Sequence, residues 1–296
     1  MRRARGQLVA APYLLLAPFL GLFGVFVAYP LVQSLVLSTR QTFGPGHSQS
    51  VGLSNFSFLV RDPMFWRALW NTALFTAGSV FIQLPLALGL AMLLNRPGLM
   101  GRGIYRLIFF SPQLMGLVFV ATLASIVFEK RSGLLNQALH WAFGVSLDFP
   151  WLQTYVMPTL IITTLWMYVG FNMVYFLAAL QNVDKSLLEA ASIDGAGPWA
   201  KFRHVTLPAI RPVGSFVVLL SIIGSLQLFE LPYVMLNATA GPANRGLTIV
   251  MYLYQGGFEV GDLGYASAIG WAMTLILMVF ALAQLMIARR EEASHG

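Results

Sequence analysis

A chain of 296 residues that is 57% hydrophobic and only 10% charged cannot cover its own surface in water, where roughly 25% charge is ordinary. Lipid has to be the solvent for much of it, and a mean hydropathy of +0.72 agrees. The net charge of +7 does not mark a nucleic-acid binder, because the basic residues sit in short clusters between apolar runs and form no aromatic-laced stripe.

The N-terminus, Met1-Arg2-Arg3-Ala4-Arg5, resembles the start of a signal peptide. No charge follows until Arg40, far beyond the ~7–15-residue apolar region of a cleaved signal. The stretch is therefore read as a retained first span. Further charge-free stretches run from Arg67 to Arg96, Arg106 to Glu129, Asp148 to Asp184, Arg211 to Glu230 and Asp262 to Arg289. Each can hold the ~20 apolar residues that cross a bilayer. The expectation is an all-α, polytopic membrane protein forming one domain over 1–296. About six spans are predicted, at 10–36, 71–94, 105–128, 155–180, 210–234 and 264–288. The fifth is the tightest and is expected to continue past Glu230 toward Leu236. The runs are continuously apolar and do not alternate, which disfavours a β-barrel.

Lys and Arg set the orientation. With a cytoplasmic N-terminus, the inside holds Arg2, Arg3, Arg5, Arg96, Arg102, Arg106, Lys185, Lys201, Arg203, Arg211, Arg289 and Arg290. The outside holds Arg40, Arg61, Arg67, Lys130, Arg131 and Arg245. Both termini are then cytoplasmic, as an even number of spans requires.

Two loops carry more than a connection needs. Asp62 to Thr72, with Pro63 at a helix start and Trp66 and Trp70 following, reads as a short interfacial helix. The longest cytoplasmic loop, 182–211, has Asp184 as a cap for a helix over Lys185 to Ile193, with Leu187, Leu188 and Ala191 on one face. Asp194-Gly195 breaks it, and Pro198 starts a second short helix over Trp199 to His204. Pro208 and Pro212 lead into the next span. Two short helices at an angle on the cytoplasmic face imply a docking surface.

Within that loop Glu189-Ala190-Ala191-Ser192-Ile193-Asp194-Gly195-Ala196, then Phe202, Leu207-Pro208 and Pro212, matches the pattern E-A-A-x-x-D-G-A, aromatic, two prolines. It resembles the EAA loop of binding-protein-dependent ABC transporter permeases. The Asp62 to Thr72 segment, Tyr105-Arg106 with Pro112, Trp166, and Phe229-Glu230-Leu231-Pro232-Tyr233-Val234 before Gly241-Pro242 are similar to the oligosaccharide-importing, maltose-type branch. The resemblance implies that Glu189, Ala190, Ala191, Asp194, Gly195, Ala196, Phe202 and Pro208 form a coupling helix seated in a cytoplasmic ATPase. It also implies a second permease chain, a different one in the sugar branch, and an extracytoplasmic solute-binding protein. ATP and magnesium would lie on the partner ATPase, with no cofactor on this chain. The location implied is a prokaryotic cell membrane.

A translocation path needs inward polar or aromatic groups. Trp166, Tyr168, Asn172 and Tyr175 in the fourth span are candidates, and Tyr168, Asn172 and Tyr175 share a helical stripe at ~100° per residue. The fifth span offers Ser221, Ser225, Gln227 and Glu230. The resemblance places Trp166, Tyr168, Asn172, Gln227 and Glu230 near the sugar path. Aromatics at helical spacing also serve packing, and Asn or Ser serves as interhelical glue. If the fifth span is one helix, Glu230 lies ~27 Å from Pro212, near the outer surface.

No basic residue lies inside the six runs. That argues against glycerol phosphate, since an anion in low dielectric needs a partner. A polyamine would want several acids where only Glu230 stands. A neutral sugar or oligosaccharide fits best. An ion-coupled carrier or channel would keep ionisable groups at mid-membrane. An intramembrane enzyme would need an activated nucleophile or a metal cluster. The four histidines (His47, His140, His204, His295) lie far apart, and there is no cysteine and no Walker A motif. The chain is read as catalysing no covalent step itself.

Overall fold

The computed structural model describes residues 15–42, 48–144 and 146–295, with side chains of the last helix described to 286. The basic cluster Arg2, Arg3 and Arg5, the first residues of the 10–36 span, His47, and the side chains of Arg289, Arg290 and His295 lie outside the described residues. The helices in order are α1 (Leu15–Ser38), α2 (Ser54–Arg61), α3 (Pro63–Leu94), α4 (Arg102–Phe110), α5 (Leu117–Val127), α6 (Leu134–Phe143) and α7 (Val156–Gln181). They continue with α8 (Lys185–Ile193), α9 (Pro198–Leu226), α10 (Glu230–Met235), α11 (Ile249–Tyr254) and α12 (Leu263–His295). One small antiparallel hairpin, β1 (Arg40–Thr42) with β2 (Ser48–Ser50), pairs Gln41 with Gln49. Among the described residues, five helices are long and apolar enough to cross a membrane, and up to six spans result if the bent pair α4–α5 counts as one.

The chain divides into two compact units. The first comprises residues up to 62 and 253–272. Its fixed point is the turn before α12. The Asp262 carboxylate accepts from the Tyr265 amide at 3.0 Å, capping the helix, and from the Thr42 amide at 3.3 Å. Gly264 lies so close to the chain at Arg40 that an added Cβ would sit 1.8 Å from its carbonyl oxygen. Asn55 donates to the carbonyls of Ser38 and Arg40, and the Tyr265 hydroxyl donates to buried Asp62 at 2.5 Å.

The second unit comprises 63–252 and the chain from 273. One core gathers Val120, Ala121 and Ala124 of α5, Val156 and Leu160 of α7, and Leu231 and Met235 of α10. The other packs Leu84, Ala87 and Ala91 of α3 against Met173, Phe176 and Leu177 of α7, with Ile210 and Val217 of α9. Lipid is as apolar as these side chains, so close backbone approach has to supply the attraction. Ala87 and Ala91, four apart and fully buried, permit it. Gly170 of α7 permits it again, because an added Cβ would lie 1.9 Å from the Phe109 carbonyl oxygen of α4.

Four expectations need correction. The predicted short helix from Asp62 to Thr72 is the first part of α3, one helix of 32 residues. Pro63 suits a first helical position, so nothing separates interfacial from spanning residues. The third span, expected as 105–128, is broken into α4, a 3₁₀ turn Ser111–Leu114 and α5, bent by 97°. Pro112 lacks a donor, and Met115 and Gly116 are extended. The expected second short helix, Trp199 to His204, is not separate. It opens α9, which runs unbroken from Pro198 to Leu226. A π-helical stretch, Phe202–Thr206, precedes Pro208, and the widened turn carries the helix past the missing donor. The fifth span does not reach Leu236 as one helix, for α9 stops at Leu226 and Phe229 adopts φ −139°, ψ −59° before α10.

Gly170→Ala is expected to force α4 and α7 apart at a cost of ~1–3 kcal/mol, lowering the unfolding temperature of the detergent-solubilised protein. Gly89→Ala, where an added Cβ meets nothing within 4 Å, is expected to leave it unchanged.

Candidate functional site

A cavity of about 500 Å³ opens where α9 ends. Its walls are Phe75, Ser79 and Gln83 of α3, Leu117 of α5, Thr164, Tyr168, Phe171 and Asn172 of α7, and Leu220, Ser221, Gly224 and Ser225 of α9. The non-helical step Gln227-Leu228-Phe229, with Glu230 and Val250, completes it. Of the sequence candidates, Tyr168, Asn172, Gln227 and Glu230 come together here, as do Ser221 and Ser225. Trp166 does not. It lies two residues before Tyr168, about 200° round the helix, and is half exposed elsewhere. Tyr175 packs edge-on between Phe171 and Phe216, with centroids 5.1 and 6.1 Å away.

Sequence reasoning missed Phe75, Ser79, Gln83, Thr164 and Phe171. Ser79 and Gln83 bound a π-helical segment of α3, whose widened turn sets both toward the same side. The signal was present: two polar residues four apart in an otherwise apolar run. Gln83 and Asn172 are buried to 3% and 6% exposure yet line the cavity, which sets two amides among aromatic walls. Glu230 is the one Asp, Glu, Lys, Arg or His in the lining. The expected position of Glu230 at the end of a long helix is corrected, since it opens α10 at the cavity wall.

The break itself is satisfied internally. The Thr248 hydroxyl, fully buried, donates to the Leu228 carbonyl at 2.7 Å. Asn71 donates to the carbonyls of Asn244 and Leu247, and the Ile249 amide donates to Thr72 Oγ1 at 3.1 Å. A second, polar pocket of about 410 Å³ lies at the far ends of α5 and α10, lined by Ser125, Glu129, Lys130, Gln153 and Asn237 among others. The amides of Ser132 and Arg131 donate to Glu129 and hold its carboxyl below the usual carboxylate range. Packed Val120, Ala124, Leu231 and Met235 fill the α5–α10 contact between the two cavities.

The 182–211 loop is built as a capped helix and a turn. The Ser186 amide donates to Asp184 Oδ1 at 2.8 Å and holds that carboxyl below its ordinary value. At the other end the Ala196 amide donates to Ala191 O and the Gly195 amide to Ser192 O, at 2.9 and 3.1 Å. This is a Schellman closure, and it needs the left-handed φ of +77° at Gly195. Lys201 Nζ donates to Ser192 Oγ at 2.7 Å across the turn. Glu189, Ala190 and Asp194 are exposed, Ala191, Ala196 and Phe202 are half-buried, and Pro208 lies inside α9. Ile193 and Trp199, which the sequence reading did not single out, are 87% and 69% exposed on either side of Gly195.

Comparison with known proteins matches residues 83–292 to the family described as binding-protein-dependent transport system inner membrane component. The chain is 37% identical to the arabinooligosaccharides transport system permease protein AraP of Bacillus subtilis (strain 168), over 94% of this chain and 88% of that protein. It is 36% identical to the lactose transport system permease protein LacF of Rhizobium radiobacter, over 95% of this chain and 94% of that one. Among solved structures, a chain of a bacterial alginate ABC transporter, in complex with an alginate pentasaccharide-bound periplasmic protein, superposes with a TM-score of 0.84. It has 23% identity and covers 98% of both chains, a likeness of fold.

Two tests follow from the geometry. Thr248→Val is expected to strand the Leu228 carbonyl at a cost of ~1–3 kcal/mol, seen as a lower unfolding temperature, whereas Ser57→Ala on exposed surface should be neutral. For the Asp184 cap, the folded pKa is depressed, so its contribution is complete above the ordinary carboxylate value and is lost as pH falls through the folded one. The protection factors of the Ser186 to Leu188 amides, taken against the intrinsic exchange rate at each pH, should fall on acidification and in Asp184→Ala at neutral pH, and Asp184→Asn should remove the pH dependence.

Proposed function

The chain belongs to the inner membrane components of binding-protein-dependent transport systems, and on that premise we propose that it is the permease subunit of an ATP-driven importer for a neutral saccharide. The observation that carries the reading is the cavity. Tyr168, Phe171 and Phe75 offer faces for sugar rings, and Gln83, Asn172, Gln227 and the serines of α9 offer donors and acceptors for hydroxyls. No basic side chain lines it, so an anionic substrate such as glycerol phosphate would meet no counter-charge. The relatives named for arabinooligosaccharides and lactose support the same substrate class.

In this reading both termini and the 182–211 loop are cytoplasmic. The loop from Glu189 to Phe202 docks a separate ATPase dimer, which holds ATP and magnesium, and this chain catalyses no covalent step. A dimer offers two clefts, so a second permease chain completes the pore. The polar pocket around Glu129 and Asn237 faces the side from which an extracytoplasmic binding protein delivers its sugar. The packed α5–α10 contact closes the cavity toward that side, and alternating access requires it to open.

The test is affinity purification of the tagged chain from membranes, wild type beside Gly195→Pro. Wild type is expected to bring down an ATPase and a sister membrane chain, and the variant to lose the ATPase while keeping the sister. Wild type purifying alone would sink the importer reading. In the reconstituted transporter, Gln83→Ala is expected to reduce sugar uptake about five- to tenfold, the worth of one or two hydrogen bonds. Trp166→Phe, outside the cavity, should leave uptake unchanged.

A further inference from the structure

We propose that the polar pocket at the far ends of α5 and α10 is a second saccharide site, in which an incoming sugar waits beside the packed α5–α10 contact. The inference rests on the saccharide-permease reading and adds to it a site separate from the cavity at the end of α9. The pocket holds about 410 Å³, within the ~300–1,000 Å³ of small-molecule sites. Met235 belongs both to its wall and to the core that fills the α5–α10 contact. A ligand in the pocket therefore lies against the contact that alternating access has to open.

Three segments make the walls, and each is tied down by hydrogen bonds of its own. The turn after α5 is closed by the Arg131 and Ser132 amides, which donate to Glu129. Buried Asn136 holds the same turn, donating to the Lys130 carbonyl at 2.9 Å and to the carbonyls of Leu147 and Phe149 at 3.0 and 3.2 Å. Arg245 donates to the carbonyls of Gln153 and Thr154, which fastens the loop after α10 to the segment before α7. Asn237 and Ala238 of that loop have φ of +54° and +58°, a left-handed backbone that a residue other than glycine keeps only where its surroundings enforce it. The Ala238 amide, donating to the Tyr233 carbonyl at 2.7 Å, enforces it here. The pocket is thus formed before anything binds, and a ligand need not order it.

The lining fits a neutral polyhydroxyl compound. Gln153 and Asn237 bring amides and Ser125 and Ser132 bring hydroxyls, so donors and acceptors meet a ligand from several sides. The hydrogen bonds that Arg131 and Ser132 give to Glu129 all end on Oε2. That spares Oε1 for a ligand hydroxyl, in a charge-assisted bond. Lys130 matches Glu129 in the lining, so neither an anion nor a cation meets a net counter-charge there. Ile126, Leu152 and Met235 supply the apolar surface that the C–H face of a sugar ring covers.

The chain has no cysteine, so single cysteines report on each site separately. The complete transporter is reconstituted in nanodiscs without nucleotide and without binding protein. Ile126→Cys reports on the pocket and Ser221→Cys on the cavity at the end of α9, each by its rate of reaction with a maleimide. The probes are arabinotriose and lactose, against a polyethylene glycol of matched viscosity. At least one of the two saccharides is expected to slow labelling of Ile126→Cys in a saturable way. In the Asn237→Gly/Gln153→Ala background, which removes two amides, the concentration for half-protection should rise about tenfold. Asn237→Gly keeps the left-handed turn, and an unchanged labelling rate of Ser221→Cys without sugar checks the fold of that background. The proposal is overturned if neither saccharide protects Ile126→Cys, or if the double substitution leaves protection as it was. Protection that needs the binding protein also overturns it, since the pocket then belongs to the docked protein. Protection at Ser221→Cys alone leaves the sugar-importer reading standing without the second site, and protection at Ile126→Cys alone does the reverse.

Discussion

The hydrogen bond from the Thr248 hydroxyl to the Leu228 carbonyl is the contact on which the cavity depends. Backbone that leaves a helix within apolar surroundings has to find partners in protein or face water. The chain leaves helix between Leu226 and Glu230 and again at Met115–Gly116. Leu228 and Leu117, at those two departures, both line the same cavity. The broken backbone and the cavity are thus one feature, because the cavity gives freed polar groups a place to face and Thr248 satisfies the Leu228 carbonyl. Asn71 and Thr72, on the facing helix, hold the segment that carries Thr248 in place.

The same economy governs the 182–211 loop. Its helix is closed at one end by the Asp184 carboxylate and at the other by the left-handed Gly195, so its shape does not wait on a partner. That leaves Ile193 and Trp199 largely exposed among the described residues, with Phe202 beside the indole at 5.5 Å. A preformed surface costs less ordering when something binds it than a loop that must fold on contact.

How far the sequence could be read follows from what each feature is made of. The starts of α7 and α12 fall within a residue of the expected 155 and 264, since continuous apolarity over some 20 residues has few other meanings, while α12 runs on to His295, past the expected 288. The cap at Asp184 and the turn at Gly195 were legible because each is a local backbone requirement. Tyr168 and Asn172 were legible as a stripe. The breaks were not, since Gln227-Leu228-Phe229 has no breaker residue, and its departure from helix is decided by Thr248, 20 residues away. Pro112 and Gly116 did announce the other break, but their apolar neighbours read as one span. Ser79 and Gln83 were visible as polar residues, yet only the π-helical turn aims them together. The run from Trp199 to Pro212 misled the other way: the π-helical turn absorbs Pro208, and the helix continues through Pro212.

That absorbed break joins Trp199 to Ser225 in one rod of 29 residues, or ~44 Å at 1.5 Å per residue. The exposed indole is at one end and a cavity serine at the other. If the rod pivots at the Ile210 crossing, the ~24 Å from there to Leu226 turns a ~5° rotation into a ~2 Å displacement at the cavity end. On the proposed reading, a small rotation of the 182–211 surface would be felt at the cavity wall. The amplification is set by where the pivot falls, so the crowded crossing of Ile210 with α7 fixes the gain of the movement as much as it fixes the fold.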